Sequence, residues 1–260
     1  MNSLNSTERF SDRVTDYVKY RPDYPASLRD YLVECCGLSP DHVVADIGSG
    51  TGLLTQPFLE HGNRVYGVEP NANMRGAAED FLQAYSNFES VVGQAEATTL
   101  EPDSVDWIVA GQAFHWFDQQ AACHEFSRIL KPGGWVALIW NSRLHTDPFH
   151  QAYETFLLTH APDYSRVSQR RPSAETLAKF FAPATMEIAS FEHYQVFDFE
   201  GLKGRLLSCS YAPTQGVANY TEMIEALRSL FNHYSHQDQL FFRYTTHLYY
   251  AQPKSKAEQT

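Results

Sequence analysis

Three glycines on alternate positions, preceded by an acid, are the residues of this sequence best suited to binding a ligand. Gly48, Gly50 and Gly52 follow the apolar run Val43–Ile47, which carries Asp46 near its end. An uninterrupted apolar run predicts a parallel strand that is covered on both faces. Glycines let the backbone turn sharply and approach a ligand more closely than any Cβ permits. Because ligands of open α/β sheets bind at the carboxyl ends of the strands, this turn predicts a nucleotide-type pocket.

A second acid ends the next apolar segment, Arg64–Glu69. Glu69 follows the glycines by about 20 residues, the spacing at which a carboxylate accepts hydrogen bonds from a ribose diol. The glycines alone could be a tight turn without a ligand, and an isolated glutamate is usually a solvated strand end. Together, the two features favour a site for a nucleoside.

The charge beside the turn discriminates between two classes of nucleoside cofactor. Dinucleotide folds use Gly-x-Gly-x-x-Gly and rest the pyrophosphate on a helix N-terminus. Here the glycines alternate, and Asp46 would repel a pyrophosphate. S-adenosylmethionine has a ribose, no phosphate, and cationic ammonium and sulfonium groups. The charge therefore favours the methyl donor, with an NAD-dependent oxidoreductase as the alternative.

Several motifs resemble those of the class I S-adenosylmethionine-dependent methyltransferases. These motifs are Asp46–Gly52, Val68–Met74 and Leu130–Gly134. Further segments resemble the small-molecule subgroup similar to trans-aconitate methyltransferase, namely Gly93–Glu96, Ala113–Phe117 and the lead-in Tyr17–Pro25. The resemblance covers roughly residues 10–142, and several motifs in order are more specific than one glycine loop.

The resemblance implies a cofactor site at the ends of the predicted strands. The positions that we assign to S-adenosylmethionine are Arg21, Asp46, Gly48, Ser49, Gly50, Gly52, Glu69, Pro70, Met74, Gln94, Ala95, Gly111 and Gln112. Arg21 would pair with the methionine carboxylate from an N-terminal flap, although packing of a terminal arm is an equal alternative. Gln94 stands where the family commonly has Asp, so its carbonyl oxygen would accept from the adenine amino group without a charge. Met74 would lie near the adenine, or else in the core.

The acceptor side of the site is less determined. His115 is the predicted general base for a hydroxyl or amine acceptor, since it follows the fourth strand into the same crevice; an inert, hydrogen-bonded histidine is the alternative. A carboxylate acceptor would need a cation instead, for which Arg143 and Arg205 are candidates. Tyr20, Trp116 and Tyr211 are predicted to line the acceptor pocket together with Arg143. No metal is expected.

Composition limits the classes of partner. The 260 residues carry a net charge of −11, which argues against a nucleic-acid-binding surface. The cluster Arg166, Arg170 and Arg171 is predicted to be a solvated loop. Without an apolar run of membrane length or a signal peptide, we expect a cytoplasmic protein without membrane contact. The four cysteines include no Cys-x-x-Cys pair and indicate small apolar residues in a reducing compartment.

The alternation of strands and helices predicts an α/β fold with a doubly wound, Rossmann-like and mostly parallel sheet of seven strands. The resemblance implies that the last two strands, predicted at Phe191–Phe199 and Leu240–Ala251, form an antiparallel edge with a helical lid between them. We therefore expect a cofactor-binding core with its flap at 1–142, completion of the sheet and lid at 143–253, and a tail at 254–260. Pro57 predicts a late start or a kink in the second helix.

These observations predict a methyltransferase that methylates a small-molecule acceptor, on a carboxylate or hydroxyl oxygen, and releases S-adenosyl-L-homocysteine. Two alternatives stay open: the NAD-dependent oxidoreductase, and a protein that binds S-adenosylmethionine without catalysis. The sequence identifies neither the acceptor nor an oligomeric state.

Overall fold

A computed structural model describes residues 19–165, 172–213, 215–217 and 219–253. The predicted solvated cluster at Arg166, Arg170 and Arg171, the predicted tail at 254–260 and the start of the lead-in at Tyr17 lie outside the described residues.

Seven strands form one sheet in the order β3-β2-β1-β4-β5-β7-β6. Its strands are β1 Val43–Ile47, β2 Arg64–Val68, β3 Phe88–Val91, β4 Val105–Gly111, β5 Leu130–Arg143, β6 Glu187–Phe197 and β7 Leu240–Ala251. The helices are α1 Ala26–Cys36, α2 Thr55–His61, α3 Ala72–Leu82, α4 Gln119–Ile129, α5 Pro148–His160, α6 Ala174–Phe181, α7 Phe199–Leu207 and α8 Tyr220–Tyr234, with a short 3₁₀ helix at Phe114–Trp116.

The first five strands form the parallel part of the sheet. Strand β1 pairs in parallel with β2 and β4, and these pair in parallel with β3 and β5. The order reverses at β1, because the chain places β2 and β3 on one side of it and β4 and β5 on the other. A ligand-binding crevice is expected at such a reversal. The doubly wound, mostly parallel α/β fold is confirmed.

Local sequence signals explain where most helices begin. Asn71 caps α3 through hydrogen bonds that its side chain accepts from the backbone of Asn73 and Met74, and Asp118 caps α4 in the same way. Helix α2 starts only at Thr55, which places Pro57 in the first turn, where its missing N–H costs nothing. The predicted late start of this helix is confirmed.

Two strand boundaries differ from the sequence-based prediction. Strand β6 spans Glu187–Phe197 rather than Phe191–Phe199, because Asp198 caps helix α7 and so ends the strand earlier. Strand β5 begins at Leu130, whereas we expected a turn at Lys131–Gly134 and a strand from Trp135. The pairing with β4 shifts register across this segment, so the glycines lie within an irregular part of the strand.

The chain divides into two compact units. The larger unit comprises the described residues of 23–141, 172–191 and 246–253, and the smaller unit those of 19–22, 142–165 and 192–245. The larger unit has two apolar clusters, built from alternate residues of β1 and β4 such as Ile47 and Ile108 in one and Val44 and Val109 in the other. This alternation is that of a sheet buried on both faces.

The smaller unit has an aromatic core of its own. Phe242 is fully buried, and the rings of Phe149, Tyr153, Phe197 and Tyr244 surround it with centroids 5.1–6.1 Å away. Three of these contacts are edge-to-face and that with Tyr244 is stacked, and aromatic pairs of both kinds stabilise a core beyond the area that they bury. Among the described helices, none is both long and apolar enough to cross a membrane.

Candidate functional site

The glycine turn is fixed to the end of the neighbouring strand. The backbone N–H groups of Gly48 and Ser49 both donate to the carbonyl oxygen of Val68, at 2.8 and 3.2 Å. All three glycines have positive φ: 70° for Gly48, 57° for Gly50 and 84° for Gly52. Residues with a Cβ are strained in this left-handed region, which explains the glycines.

The three glycines differ in what surrounds them. A Cβ on Gly48 would lie 2.7 Å from the Cβ of Ala113, and one on Gly52 would lie 2.6 Å from Leu82 Cδ1. A Cβ on Gly50 would meet nothing within 4 Å. Two glycines therefore serve close packing, whereas Gly50 faces open space.

Glu69 joins this turn to the start of helix α3. One carboxylate oxygen accepts from the backbone N–H of Gly50 at 3.1 Å, and the other accepts from that of Asn71 at 2.8 Å. Burial raises the pKa of the Glu69 carboxyl, and the two backbone hydrogen bonds and the charge of Arg75 oppose this rise. Both oxygens retain lone pairs, so the carboxylate remains able to accept from a diol beside Gly50.

Asp46 is a buried acid with one unmatched oxygen. The hydroxyl of Thr55 donates to one carboxyl oxygen at 2.7 Å, but Oδ1 has no hydrogen-bond partner among the described residues. The hydroxyl of Thr51 is also buried without such a partner. Burial raises the pKa of Asp46 to about 7, the Thr55 hydrogen bond opposes the rise, and the charge of Glu69 adds to it. Unmatched buried polar atoms in a turn indicate a place for a polar ligand.

The end of strand β4 adds a strained residue. Gln112 has a φ of 57°, and its side-chain amide donates to the carbonyl oxygen of Asn141 at 2.8 Å. Backbone strain of this kind concentrates at functional sites. The ring of Tyr24 packs so closely on Gly111 that a Cβ there would overlap the tyrosine hydroxyl. Tyr24 thus covers the end of the strand, a contact that we had not predicted although Tyr24 belongs to the predicted lead-in.

His115 and Trp116 lie on the 3₁₀ helix that follows β4. Phe114 is fully buried and anchors this turn, while Trp116 is 36% exposed. The ring of His115 lies 4.8 Å from that of Trp116 and 6.2 Å from that of Trp140, between centroids. The half-buried histidine is thus held among aromatic rings in the larger unit.

The remaining positions assigned to the cofactor surround the same turn and strand ends. Met74 and Ala95 are buried, whereas Pro70 and Gln94 are exposed. The backbone of Gln94 forms a bridge with that of Ala97, which tightens the loop after β3. The larger unit therefore contains the assigned cofactor positions except Arg21. Which of them contact a cofactor stays a prediction.

The other predicted positions lie in the smaller unit. The ring of Tyr20 packs on Gly204, and Arg21 donates to the carbonyl oxygen of Ser208 at 3.2 Å. Arg143 forms an ion pair with Glu154 at 2.9 Å and a hydrogen bond with Tyr164. The ring of Tyr211 lies 5.0 Å from that of Tyr164, between centroids. Their assigned roles stay predictions.

The sequence reasoning missed two hydroxyl groups of the site. Thr51 lies between the glycines and Thr55 starts helix α2, yet neither was assigned. The sequence did contain a signal for Thr55. This residue follows Asp46 by nine positions and stands just after the glycines, so its hydroxyl can reach back to the Asp46 carboxyl. Among the described residues, no three His, Cys, Asp or Glu side chains are grouped to hold a metal ion.

Comparisons with known proteins agree with this geometry. A family model described as a methyltransferase domain matches residues 45–138, which run from β1 into β5. An uncharacterized methyltransferase from Geobacillus thermodenitrificans is 32% identical over 150 residues, covering 56% of this chain and 68% of that protein. The chain belongs to the methyltransferase family.

Further relatives define how far the likeness extends. An uncharacterized methyltransferase from Schizosaccharomyces pombe is 33% identical over 141 residues, covering 54% of this chain and 55% of that protein. The matched region thus spans about half the length of this curated relative. The family assignment confirms the predicted methyltransferase family; the trans-aconitate subgroup stays a prediction.

Solved structures support the fold over most of the chain. A candidate Type II methyltransferase from Anaeromyxobacter dehalogenans superposes with a TM-score of 0.65 at 23% identity, covering 90% of this chain and 98% of that one. The YcgJ protein from Bacillus subtilis superposes with a TM-score of 0.52 at 18% identity, covering 88% of this chain and 98% of that one. At these identities the likeness concerns the fold alone, and it agrees with the Rossmann-like sheet.

Proposed function

We propose that this chain transfers the methyl group of S-adenosylmethionine to a small-molecule acceptor. One observation supports this most directly. The Glu69 carboxylate is hydrogen-bonded to the N–H of Gly50, the glycine that faces open space. A nucleoside placed beside Gly50 would offer its ribose diol to this carboxylate, in agreement with the general binding of ligands at the carboxyl ends of parallel strands.

The second acid favours this cofactor over a dinucleotide. Asp46 lies in the same turn with its Oδ1 unmatched by any described residue. A cationic group is the partner that such a carboxyl favours, and a pyrophosphate would be repelled. Both acids and the open space beside Gly50 therefore fit S-adenosylmethionine, which carries cations and a ribose but no phosphate. The family assignment argues in the same direction against the oxidoreductase.

The residues of the chain would contribute orientation and the exclusion of water. S-adenosylmethionine supplies an electrophilic methyl group whose transfer disperses the sulfonium charge. Glu69 would hold the ribose and the glycine backbone would fix its position. Aromatic side chains such as Trp116 would keep water from the reacting atoms, which lowers the barrier by several kcal/mol in comparable systems.

The acceptor atom decides whether a base is needed. We propose oxygen as the acceptor atom, on a carboxylate or a hydroxyl. A carboxylate reacts without proton removal, whereas a hydroxyl requires a base, for which His115 is the candidate. Replacing His115 with Asn should lower kcat at least about tenfold for a hydroxyl acceptor and leave kcat for a carboxylate acceptor nearly unchanged.

A binding experiment tests the cofactor. We expect calorimetry to detect S-adenosylmethionine and not NAD. Glu69→Gln should weaken the binding of S-adenosylmethionine by about tenfold or more, because one lost hydrogen bond to a charged group costs about 1.5–3 kcal/mol. The matched control is Glu89→Gln, which removes an acid of strand β3 that forms an exposed ion pair with Arg64. Equal affinities of the two variants would contradict the assigned site.

A turnover experiment separates an enzyme from a protein that only binds the cofactor. Donor labelled in the methyl group is incubated with the chain and a metabolite extract, and labelled products are identified by mass spectrometry. Transfer of the label is expected. A chain that binds the donor but transfers no label from it would favour the non-catalytic alternative.

A further inference from the structure

Asn141, near the end of strand β5, holds three segments that are distant from it in sequence. Its side-chain Nδ2 donates to the carbonyl oxygen of Asp23 at 3.0 Å, and its Oδ1 accepts from the hydroxyl of Thr246 at 2.6 Å. Its backbone carbonyl oxygen accepts from the side chain of Gln112 at 2.8 Å. All four residues belong to the larger unit. One residue thus ties the lead-in, strand β7 and the residue after strand β4 to one point.

The orientation of the Asn141 amide is fixed by the chemistry of its two partners. A backbone carbonyl oxygen can only accept a hydrogen bond, so the group of Asn141 that faces Asp23 must be the amide donor. The amide oxygen then faces the Thr246 hydroxyl, which belongs to a fully buried residue and donates to it. If the amide were reversed, two carbonyl oxygens would face each other. The side chain is therefore a preformed donor for the backbone of the lead-in.

The hydrogen bond to Asp23 restricts the residue that follows it. Tyr24 stands between Asp23 and Pro25, and a residue before proline is restricted to extended backbone conformations. Pro25 in turn is the N-cap of helix α1, with a φ of −65° and a ψ of 142°. The backbone of Tyr24 is therefore held on one side by Asn141 and on the other side by the start of a helix.

The ring of Tyr24 reaches the edge of the sheet that contains the candidate site. A Cβ on Gly111 would overlap the Tyr24 hydroxyl and lie 3.0 Å from Leu54 Cδ2. Gly111 ends strand β4, and Leu54 stands two positions after the last glycine of the turn. The Tyr24 hydroxyl therefore lies between the end of β4 and the segment that follows the glycine turn. A glycine at 111 permits this approach, since any side chain would occupy the place of the hydroxyl.

Unmatched polar atoms lie at the same edge of the sheet. Asp46 pairs with Val109 of strand β4, two residues before Gly111, and is fully buried with its Oδ1 unmatched by any described residue. The Thr51 hydroxyl is likewise buried without a partner among these residues. Such atoms indicate a place for a polar ligand. A ligand that reaches them would lie at the edge that Tyr24 covers.

From these contacts we infer that Asn141 is a positioning residue, which holds Tyr24 over the end of strand β4 as a wall of the S-adenosylmethionine site. The inference rests on the proposed function. The ring of Tyr24 would contact the cofactor and exclude water from it, whereas the side chain of Asn141 would act only through Tyr24. The same asparagine accepts from Gln112, the strained residue at the end of β4, so both features share one support.

Calorimetry with S-adenosylmethionine and the full chain tests the role of Asn141. Asn141→Asp keeps the size of the side chain and an acceptor for Thr246 but removes the donor to Asp23. The dissociation constant should rise at least about tenfold, because the lead-in is then no longer held in place. The added negative charge would favour a cationic cofactor, so it cannot cause this rise. Native affinity of the variant would overturn the inference.

Asn87→Asp is the matched control. The Nδ2 of Asn87 also donates to a distant backbone carbonyl oxygen, that of Asn63, at 2.6 Å. Asn87 directly precedes strand β3 and so lies at the amino end of the parallel strands, whereas ligands bind at the carboxyl ends. This variant loses the same kind of hydrogen bond and should bind S-adenosylmethionine as the native chain does. An equal loss of affinity in Asn87→Asp and Asn141→Asp would contradict positioning.

A double-mutant cycle distinguishes positioning from a purely structural role. Tyr24→Ala removes the ring and should weaken the binding of S-adenosylmethionine at least about tenfold, with an unchanged circular dichroism spectrum. Because Asn141 acts through Tyr24, adding Asn141→Asp to Tyr24→Ala should weaken binding no further. A further loss of affinity in the double variant would overturn the inference. If Asn141→Asp fails to fold, native affinity of Tyr24→Ala still overturns it.

The proposed function and this inference can fail separately. If the native chain binds S-adenosylmethionine and both variants at Tyr24 and Asn141 bind it equally well, the function stands and the inference is wrong. If the native chain binds no S-adenosylmethionine, the proposed function is refuted, and hydrogen exchange still measures how the lead-in is held. The peptide that contains Tyr24 should exchange at least about tenfold faster in Asn141→Asp than in Asn87→Asp. Equal exchange would refute the hold of Asn141 on Tyr24.

Discussion

The two acids of the candidate site differ in how the protein satisfies them. Both oxygens of Glu69 accept backbone hydrogen bonds, whereas one oxygen of Asp46 has no partner among the described residues. Glu69 therefore has a structural role in joining the glycine turn to helix α3, besides its proposed binding of a diol. Asp46 lacks such a second tie, which suits an acid whose matching partner is a ligand.

Asp46 should make stability depend on pH. The pKa of Asp46 in the folded chain is about 7, so the carboxyl stays protonated in the folded state below this pH. In the unfolded chain the same carboxyl ionises above about pH 4. The folded state binds more protons in this window, so the free energy of unfolding should fall as pH rises from 4 to 7. Asp46→Asn should remove this fall. At pH 8 the free energy of unfolding of this variant should exceed that of the native chain by a few kcal/mol, roughly 4 at most. Urea unfolding of both proteins at several pH values measures this difference in the free energy of unfolding.

The same titration should govern cofactor binding in the opposite sense. The ionised form of Asp46 favours a cationic ligand, so the affinity for S-adenosylmethionine should rise between pH 6 and 8. Below the pKa of Asp46, the rise should be up to about tenfold for each pH unit. Asp46→Asn should bind more weakly and show no such rise. A native affinity that is constant over this range would contradict ionisation of Asp46 on binding.

At the scale of the elements, the glycines of one turn serve different purposes. Gly52 makes room for helix α3 at Leu82, Gly48 makes room for Ala113, and Gly50 leaves space open. Two glycines of this motif therefore serve packing, and Gly50 is the one that we propose as a ligand contact. Sequence spacing alone cannot separate these purposes, because all three have positive φ.

Substitutions of single glycines should separate stability from binding. Gly50→Leu should abolish cofactor binding and cost only about 1–2 kcal/mol of backbone strain. Gly52→Ala should cost more, because its Cβ would also overlap Leu82. Gly76→Ala, within α3 and with nothing near its added Cβ, should stabilise the chain by up to about 1 kcal/mol. Urea unfolding and calorimetry of the three variants check this order.

Helix α5 is tied to strand β7 by a buried histidine. His150 Nδ1 contacts Asp147 Oδ2 at 2.6 Å, and its Nε2 accepts from the backbone N–H of Arg243 at 3.2 Å. Since Nε2 accepts, the ring is neutral with its proton on Nδ1. Burial lowers the pKa of His150, the charge and hydrogen bond of Asp147 oppose this, and Arg143 and His145 lower it further.

This histidine should destabilise the chain in mild acid. Because the pKa of His150 is lowered in the folded chain, the unfolded ring takes up its proton first, below about pH 6.5, so stability should be lost as pH falls through this value. His150→Gln keeps an acceptor for the Arg243 N–H, and its free energy of unfolding should fall less than that of the native chain between pH 7 and 5. The control His124→Gln, on the exposed face of α4, should follow the native profile. Identical profiles for His150→Gln and the native chain would refute the assignment.

At the scale of the whole molecule, charge is the property that restricts partners. The net charge of −11 opposes approach to nucleic acid, whose binding depends on clustered cations. We expect no complex with duplex DNA or with single-stranded RNA in gel-shift experiments at low salt, where electrostatic attraction is strongest. A complex that weakens with added salt would contradict this expectation.

The sequence by itself determined what depends on near neighbours along the chain. The caps at Asn71 and Asp118, the late start of α2 two residues before Pro57 and the glycine turn after β1 all follow from residues within a few positions of one another. The alternation of elements then predicted the parallel sheet, because crossover connections of this kind permit few arrangements.

Only the tertiary structure decided the contacts between distant positions. It placed Tyr24 on Gly111, separated the packing glycines from Gly50, and brought the Tyr244 hydroxyl to Arg205, which lies 39 residues away. No local pattern encodes such pairs, since they depend on how whole elements pack. The sequence names Arg205 as a candidate cation, but that it is buried was decided only by the tertiary structure.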